Sequence, residues 1–137
     1  MELHGSCLCG GASYSVSGEV CGFYLCHCHR CQKSTGSAHG AIVFMDAAQL
    51  DWLRGEHLLT RYRVDDSRHE KCFCSVCGSS LPLLVEERGV VMVPAGSVDN
   101  GELPQPNAHI FTSRQQGWQQ YIALLPGYEE YPPKESN

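Results

Sequence analysis

The sequence is poor in the features that would place a chain on nucleic acid or in a membrane. Its ten Lys and Arg stand against fifteen Asp and Glu, a formal charge of −5, and they form no basic run. Binding along a phosphate backbone needs such a run, so no nucleic-acid partner is expected. Apolar runs are short. The longest, Ala41–Met45 and Val90–Val93, fall far below the roughly 18–20 residues of a spanning helix, so no membrane segment is expected. The N-terminus, MELHGSCLCGG, has neither the basic stretch nor the apolar segment of a secretory signal, which makes the cytoplasm the expected compartment. Charged residues are only 18% and hydrophobic ones 42%, the balance of a globular chain rather than a disordered one.

Cysteine, by contrast, is abundant: nine in 137 residues, a length that suits one domain. In a reducing compartment a disulfide framework is disfavoured, and an odd number leaves one thiol over. Thiols kept in that setting bind metal or react. Eight of the nine fall into three clusters: Cys7/Cys9, Cys26/Cys28/Cys31 and Cys72/Cys74/Cys77. The last two share the spacing C-x-C-x-x-C, with no surrounding similarity long enough for a repeat fold.

Short alternating apolar runs flanked by Gly, Ser, Asp or Pro predict a mainly β chain. The strand candidates are Ala12–Val16, Phe23–Cys28, Ala41–Met45, Leu58–Val64, Leu81–Val85 and Val90–Pro94. Asp46 as an N-cap with Leu50 and Leu53 three apart predicts a short helix over Asp46–Leu53, and a second helical stretch is expected over Gln115–Leu124. Asp99–Asn107 reads as a loop. Residues 1–127 read as one domain, with a loose tail over 128–137.

Zinc takes about four ligands, with Zn–S near 2.3 Å, and one short loop rarely supplies all of them. Cys74 and Cys77, followed by Gly78, form a knuckle that needs two more ligands. Cys7 and Cys9 are the natural donors, giving a closed four-cysteine site of structural type. Cys26, Cys28 and Cys31 are then three thiolates without an evident fourth partner. Three protein ligands and an open position mark a catalytic zinc. Alternatives stay open: Cys72 could replace Cys9, and Cys21, Cys72 or a histidine could complete the second site. Otherwise Cys21 and Cys72 are expected to pack as small side chains. His27 and His29 alternate with Cys26 and Cys28, and in an extended stretch they point away from the cysteine face, as supporting, core or surface groups. His4, His57 and His69 read as surface residues, and His39 carries little signal. His109 stands where a loop enters a strand, and a lone histidine there is more often structural.

At these residues the chain resembles the glutathione-dependent formaldehyde-activating family. Gly5-Ser-Cys7-Leu-Cys9-Gly10 with Tyr14 is similar to that family's opening motif. Cys26-His27-Cys28-His-Arg-Cys31-Gln-Lys33-Ser-Thr-Gly36 is similar to its central one. Phe73-Cys74-Ser-Val-Cys77-Gly78-Ser-Ser-Leu81 and Pro106-Asn-Ala-His109-Ile, followed by Arg114 and Trp118, are similar to the later two. The resemblance implies a β-tent, small antiparallel sheets folded around zinc. It implies two zinc ions, a structural one on Cys7, Cys9, Cys74 and Cys77 and a catalytic one on Cys26, Cys28 and Cys31. It places His109 at the site's edge. The implied activity is that of a carbon–sulfur lyase, in which a glutathione thiol adds to formaldehyde or another aldehyde, or the adduct is cleaved. Glutathione is anionic, so Arg30, Lys33 and Arg114 become candidates for holding its carboxylates. Cys72 and Arg114 depart from the family pattern. Two other readings remain: a non-catalytic zinc module of the same fold that binds proteins, and a redox or metal-sensing thiol protein using Cys21 and Cys72.

Overall fold

A computed structural model describes residues 1–135 of the chain. The architecture is mainly β, as the alternation predicts, and antiparallel but for one pairing. Ten strands run β1 (Glu2–Ser6), β2 (Ser13–Cys26), β3 (Gly40–Arg54), β4 (Leu59–Arg63), β5 (Glu70–Cys74), β6 (Ser80–Leu81), β7 (Leu83–Val85), β8 (Val90–Pro94), β9 (Val98–Asn100) and β10 (Ala108–Ile110). One helix, α1 (His29–Thr35), leads from β2 into the β3 approach. The larger sheet has the order β7-β8-β3-β2-β1-β9, and the smaller is β4-β5-β6. β1 and β10 share one edge of β2: β1 lies antiparallel along Ser13–Ser17, and β10 lies parallel along Tyr24–Cys26. That tandem brings His109 into register with Leu25, next to the first cysteine of the central cluster.

The core lies where the sheets close on each other. Leu3, Tyr14, Val16, Val43, Met45, Val91 and Val93 are fully buried, and Cys72, Cys74 and Leu81 bring the small sheet into the same cluster. Each such aliphatic side chain contributes about 1.5–3 kcal/mol of burial. Tyr14 is the polar exception. Its ring meets Trp52 edge-on at 6.0 Å, and its hydroxyl lies 2.6 Å from the Ser97 Oγ. Burial pushes the Tyr14 phenol up to about 12, so it stays neutral and hydrogen-bonded.

Four expectations need correction. Asp46–Leu53 is not a helix; it is the second half of β3, paired with β2 from Glu19↔Asp46 to Ser13↔Arg54. The side chains there alternate: Ala48, Leu50 and Trp52 are half-buried, while Gln49, Asp51 and Leu53 are exposed. The informative period was two, Leu50 with Trp52, rather than the i, i+3 pair. Gln115–Leu124 forms no continuous helix but two 3₁₀ turns, Gly117–Gln119 and Ile122–Leu124, on an exposed stretch. Leu81–Val85 is two strands parted at Pro82, which cannot donate to a ladder. The expected loop over Asp99–Asn107 begins inside β9. Beyond Leu125 the chain has no helix or strand among the described residues, and 136–137 of the expected tail lie outside them. Among the described residues, no helix is long and apolar enough to cross a membrane.

Gly55 marks the point where the β3 end crosses the cysteine-rich opening turn. Its φ is +76°, and a β-carbon there would run into the Gly11 carbonyl oxygen and lie 2.7 Å from the Ala12 Cα. Both obstacles are backbone, so neither can swing aside. Gly36 has a similar φ of +67° with open space around it. Gly55→Ala is therefore expected to cost more than about 2 kcal/mol in urea unfolding, against about 1 kcal/mol for Gly36→Ala, which bears conformational strain alone. Equal midpoints for the two variants would contradict this account.

Candidate metal centres

Two groups of metal-ligating side chains converge among the described residues: Cys7, Cys9, Cys74 and Cys77, and separately Cys26, Cys28 and Cys31, with the sulfurs of each group within 4.8 Å of one another. All nine cysteines are free thiols.

The four-sulfur group joins the chain's beginning to the end of β5. After β1 the chain turns sharply, with the Gly10 amide donating to the Cys7 carbonyl at 3.0 Å. After β5 the knuckle closes through the Gly78 amide to the Cys74 carbonyl at 2.8 Å. The Leu8 amide donates to the Ser79 Oγ at 2.9 Å, fastening one turn to the other. Sulfur separations of 3.5 Å for Cys7–Cys9 and 3.9 Å for Cys9–Cys74 bracket the edge, about 3.8 Å, of a tetrahedron with a 2.3 Å metal–sulfur bond. The donor set fits zinc. Its electrostatics point the same way. Burial pushes the Cys7 thiol up, but the Ala12 amide, 3.3 Å from its Sγ, and the Cys9 and Cys74 sulfurs more than offset this. The Ser79 hydroxyl and amide bring Cys77 down to about 5. The Gly11 amide lowers Cys9, yet crowding by Cys7 and the other sulfurs raises it to about 11. Four thiolates packed together repel unless a cation sits among them.

The three-sulfur group is made locally. Cys26 ends β2, Cys28 is the N-cap of α1, and Cys31 lies in that helix's first turn. The Cys28 Sγ accepts from the Cys31 amide at 3.3 Å, the side-chain cap that starts the helix. Cys26 and Cys31 are buried, and burial raises both thiols. For Cys28 the penalty of burial is outweighed by the Cys31 amide and the two neighbouring sulfurs, so its thiol is lowered. Among the described residues no fourth Cys, His, Asp or Glu ligand joins the three.

Behind the trio lies a histidine cluster. His27 is buried, with Nε2 2.8 Å from the His109 Nδ1 and Nδ1 3.0 Å from the Gln119 Oε1. His39 stacks edge-on against His27 at 5.1 Å, and its ring is 6.4 Å from that of His109. Burial holds His39 below the ordinary imidazole range, and charge on His27 or His109 would lower it further. Gln32 of α1 donates to the carbonyls of His27 at 2.6 Å and Arg114 at 2.9 Å, which ties the C-terminal segment to the helix.

His27 is thus buried, with Cys26 and Cys28 as its chain neighbours, and the exposed His109 joins it from β10. Arg30 and Lys33 stand on the exposed face of α1, and Arg114 engages α1 through its carbonyl rather than its guanidinium. Cys72 belongs to neither sulfur group and is buried in the core. Cys21 does not pack inside: it sits exposed between the bulged pairs of β2, its thiol donating to the Phe44 carbonyl at 3.4 Å. His69 is half-buried rather than a plain surface residue, and burial lowers it. Sequence reasoning passed over His39, Gln32 and Gln119. His39 stands one residue before Gly40, the strand partner of Cys26, and that pairing was its only signal.

What the fold and these clusters define is a small mainly β protein built around two cysteine sites of metal-ligating geometry. The family model of the glutathione-dependent formaldehyde-activating enzymes matches residues 2–114. The chain belongs to that family. A provisionally named glutathione-dependent formaldehyde-activating enzyme of Halomonas elongata is 28% identical over 125 residues, which cover 86% of this chain and 80% of that protein. The crystal structure of a Rhodobacter sphaeroides protein superposes with a TM-score of 0.58 at 17% identity, covering 78% of this chain and 99% of that one, and so shares the fold.

Four sulfurs on two distant turns and three on one hook differ in how readily an ion can leave. Metal-loaded protein is expected to carry two ions per chain, with a chelator removing one at least about tenfold faster than the other. Cys77→Ser should abolish cooperative thermal unfolding, while Cys28→Ser keeps it and loses only the fast ion. Equal release rates, or equal damage from both variants, would contradict the division.

Proposed function

We propose that this protein is a zinc-dependent carbon–sulfur lyase, or synthase of thiol adducts, joining a glutathione-type thiol to formaldehyde or another aldehyde and reversing that addition. The observation that carries the reading is the difference between the groups: four sulfurs converge in one, and in the other no fourth ligand joins the three among the described residues. Membership of the family supports glutathione and formaldehyde as the substrate pair.

Zinc held by Cys26, Cys28 and Cys31 would supply an open position at which a thiol is favoured as its anion or a carbonyl is polarised. The chain's own groups then have three tasks. The first is placement: Cys26 is fixed by its pairing with Gly40, and Cys28 and Cys31 by the start of α1, so the reaction centre rests on rigid elements. The second is the proton. In the addition the sulfur–carbon bond forms, the carbonyl π bond opens, and the thiol proton ends on the new hydroxyl. His109, an exposed imidazole whose Nδ1 is hydrogen-bonded to His27 between Cys26 and Cys28, would carry that proton on Nε2. The third is recognition. Arg30 and Lys33 project from the helix that carries two of the three sulfurs, and Arg114 from the segment bound to it, where they would attract the carboxylates of glutathione. Hemithioacetal formation is already fast in water, so the gain comes from capture and orientation more than from lowering a high barrier.

Exchange of label between free formaldehyde and S-(hydroxymethyl)glutathione, followed by NMR, is the direct measurement. Zinc-loaded protein is expected to accelerate it, Cys28→Ser to remove at least about tenfold of that acceleration, and His109→Asn to lower it less. Failure of the loaded protein to accelerate exchange or bind glutathione overturns the proposal and leaves the non-catalytic zinc module.

A further inference from the structure

Beside the three-sulfur hook lies an apolar wedge that formaldehyde cannot fill. It opens between the two sheets, has a volume of about 100 Å³, and is walled by Ile42, Leu83, Met92 and Cys72 with the Cys31 side chain at one end. Lys71 stands at its rim, its ammonium donating to the Ser34 carbonyl at 3.2 Å. Gly40 keeps the way in clear. A β-carbon there would lie 3.5 Å from the Cys31 Sγ and 3.6 Å from the Ile42 Cδ1, midway between sulfur and wedge. Gly40 has no left-handed φ, so its lack of a side chain serves space rather than backbone. A cavity of about 150 Å³ takes benzene, so this one has room for a chain of about four carbons.

We infer that this wedge binds the alkyl substituent of the carbonyl partner, and that the preferred aldehyde is a straight aliphatic one of about three to five carbons rather than formaldehyde. The inference rests on reading the three-sulfur hook as the reacting centre. The chemistry is unchanged: the thiol sulfur bonds to the carbonyl carbon, its proton passes to the carbonyl oxygen, and the alkyl group lies past Gly40 among Ile42, Leu83 and Met92.

S-methyl-, S-propyl-, S-butyl- and S-hexylglutathione mimic the adduct without reacting. Titrated into the zinc-loaded protein, they are expected to bind about fourfold tighter per methylene until the wedge is full near four carbons, then level off. The ¹³C-methyl resonance of Met92 should move with the longer chains. Gly40→Ala, which adds a methyl at ordinary contact distance and so folds, should flatten the dependence on length. Equal affinity along the series, with Met92 unmoved, overturns the wedge while leaving glutathione recognition standing. If no conjugate binds but 1-butanol shifts Met92, the wedge stands and the glutathione reading falls.

Discussion

Repulsion among crowded sulfurs is the constraint on which this structure turns. Seven thiols stand in two groups, and in each group the ordinary escape from charge, distance, is denied by the backbone. In the four-sulfur group amides and the Ser79 hydroxyl lower Cys7 and Cys77, while crowding by the other sulfurs leaves Cys9 raised. In the three-sulfur group only Cys28 is lowered, and Cys26 and Cys31 are pushed by burial toward the neutral thiol. A divalent cation relieves both, but at the second it meets one donor fewer than a tetrahedron needs. Fold and proposed chemistry therefore share a cause: the same interaction that fastens the sheets in one place leaves an incomplete shell in the other.

The surroundings of that incomplete shell are asymmetric. On one side His27, His109, His39 and Gln119 form a polar, hydrogen-bonded wall. On the other, Ile42, Leu83 and Met92 form an apolar one. Cys31 also lines the apolar side, and His27 follows Cys26 directly in the chain. A reaction that joins a charged, polar thiol to a carbonyl compound has use for both walls, one to handle the proton and one to hold a hydrocarbon. The buried Gln119 Nε2 and His39 Nδ1, which have no hydrogen-bond partner among the described residues, belong to this polar group.

Much of this was legible in the residues. The alternating runs gave β2, β3, β4 and β8 their places, and cysteine spacing grouped the sulfurs as the folded chain does. Where reading failed, tertiary pairing had overridden a local signal. Asp46–Leu53 carries a good N-cap and two leucines three apart, yet β2 offers a full ladder of partners along its length, and the weaker alternation of Leu50 with Trp52 prevails. α1 was missed because a strand pattern ran into it; the helix begins only where the Cys28 sulfur takes the Cys31 amide, a cap that composition does not announce. The histidine wall was invisible because His27, His39 and His109 meet only through the parallel β2–β10 pairing and the β2–β3 register.

The two sulfur groups also differ in when a growing chain can assemble them. The hook spans six consecutive residues and closes on itself through a single helical turn. The other group cannot meet until Cys77 has emerged, because Cys9 and Cys74 are 65 positions apart. In the order of synthesis the hook's residues are therefore all present well before the knuckle that completes the four-sulfur group.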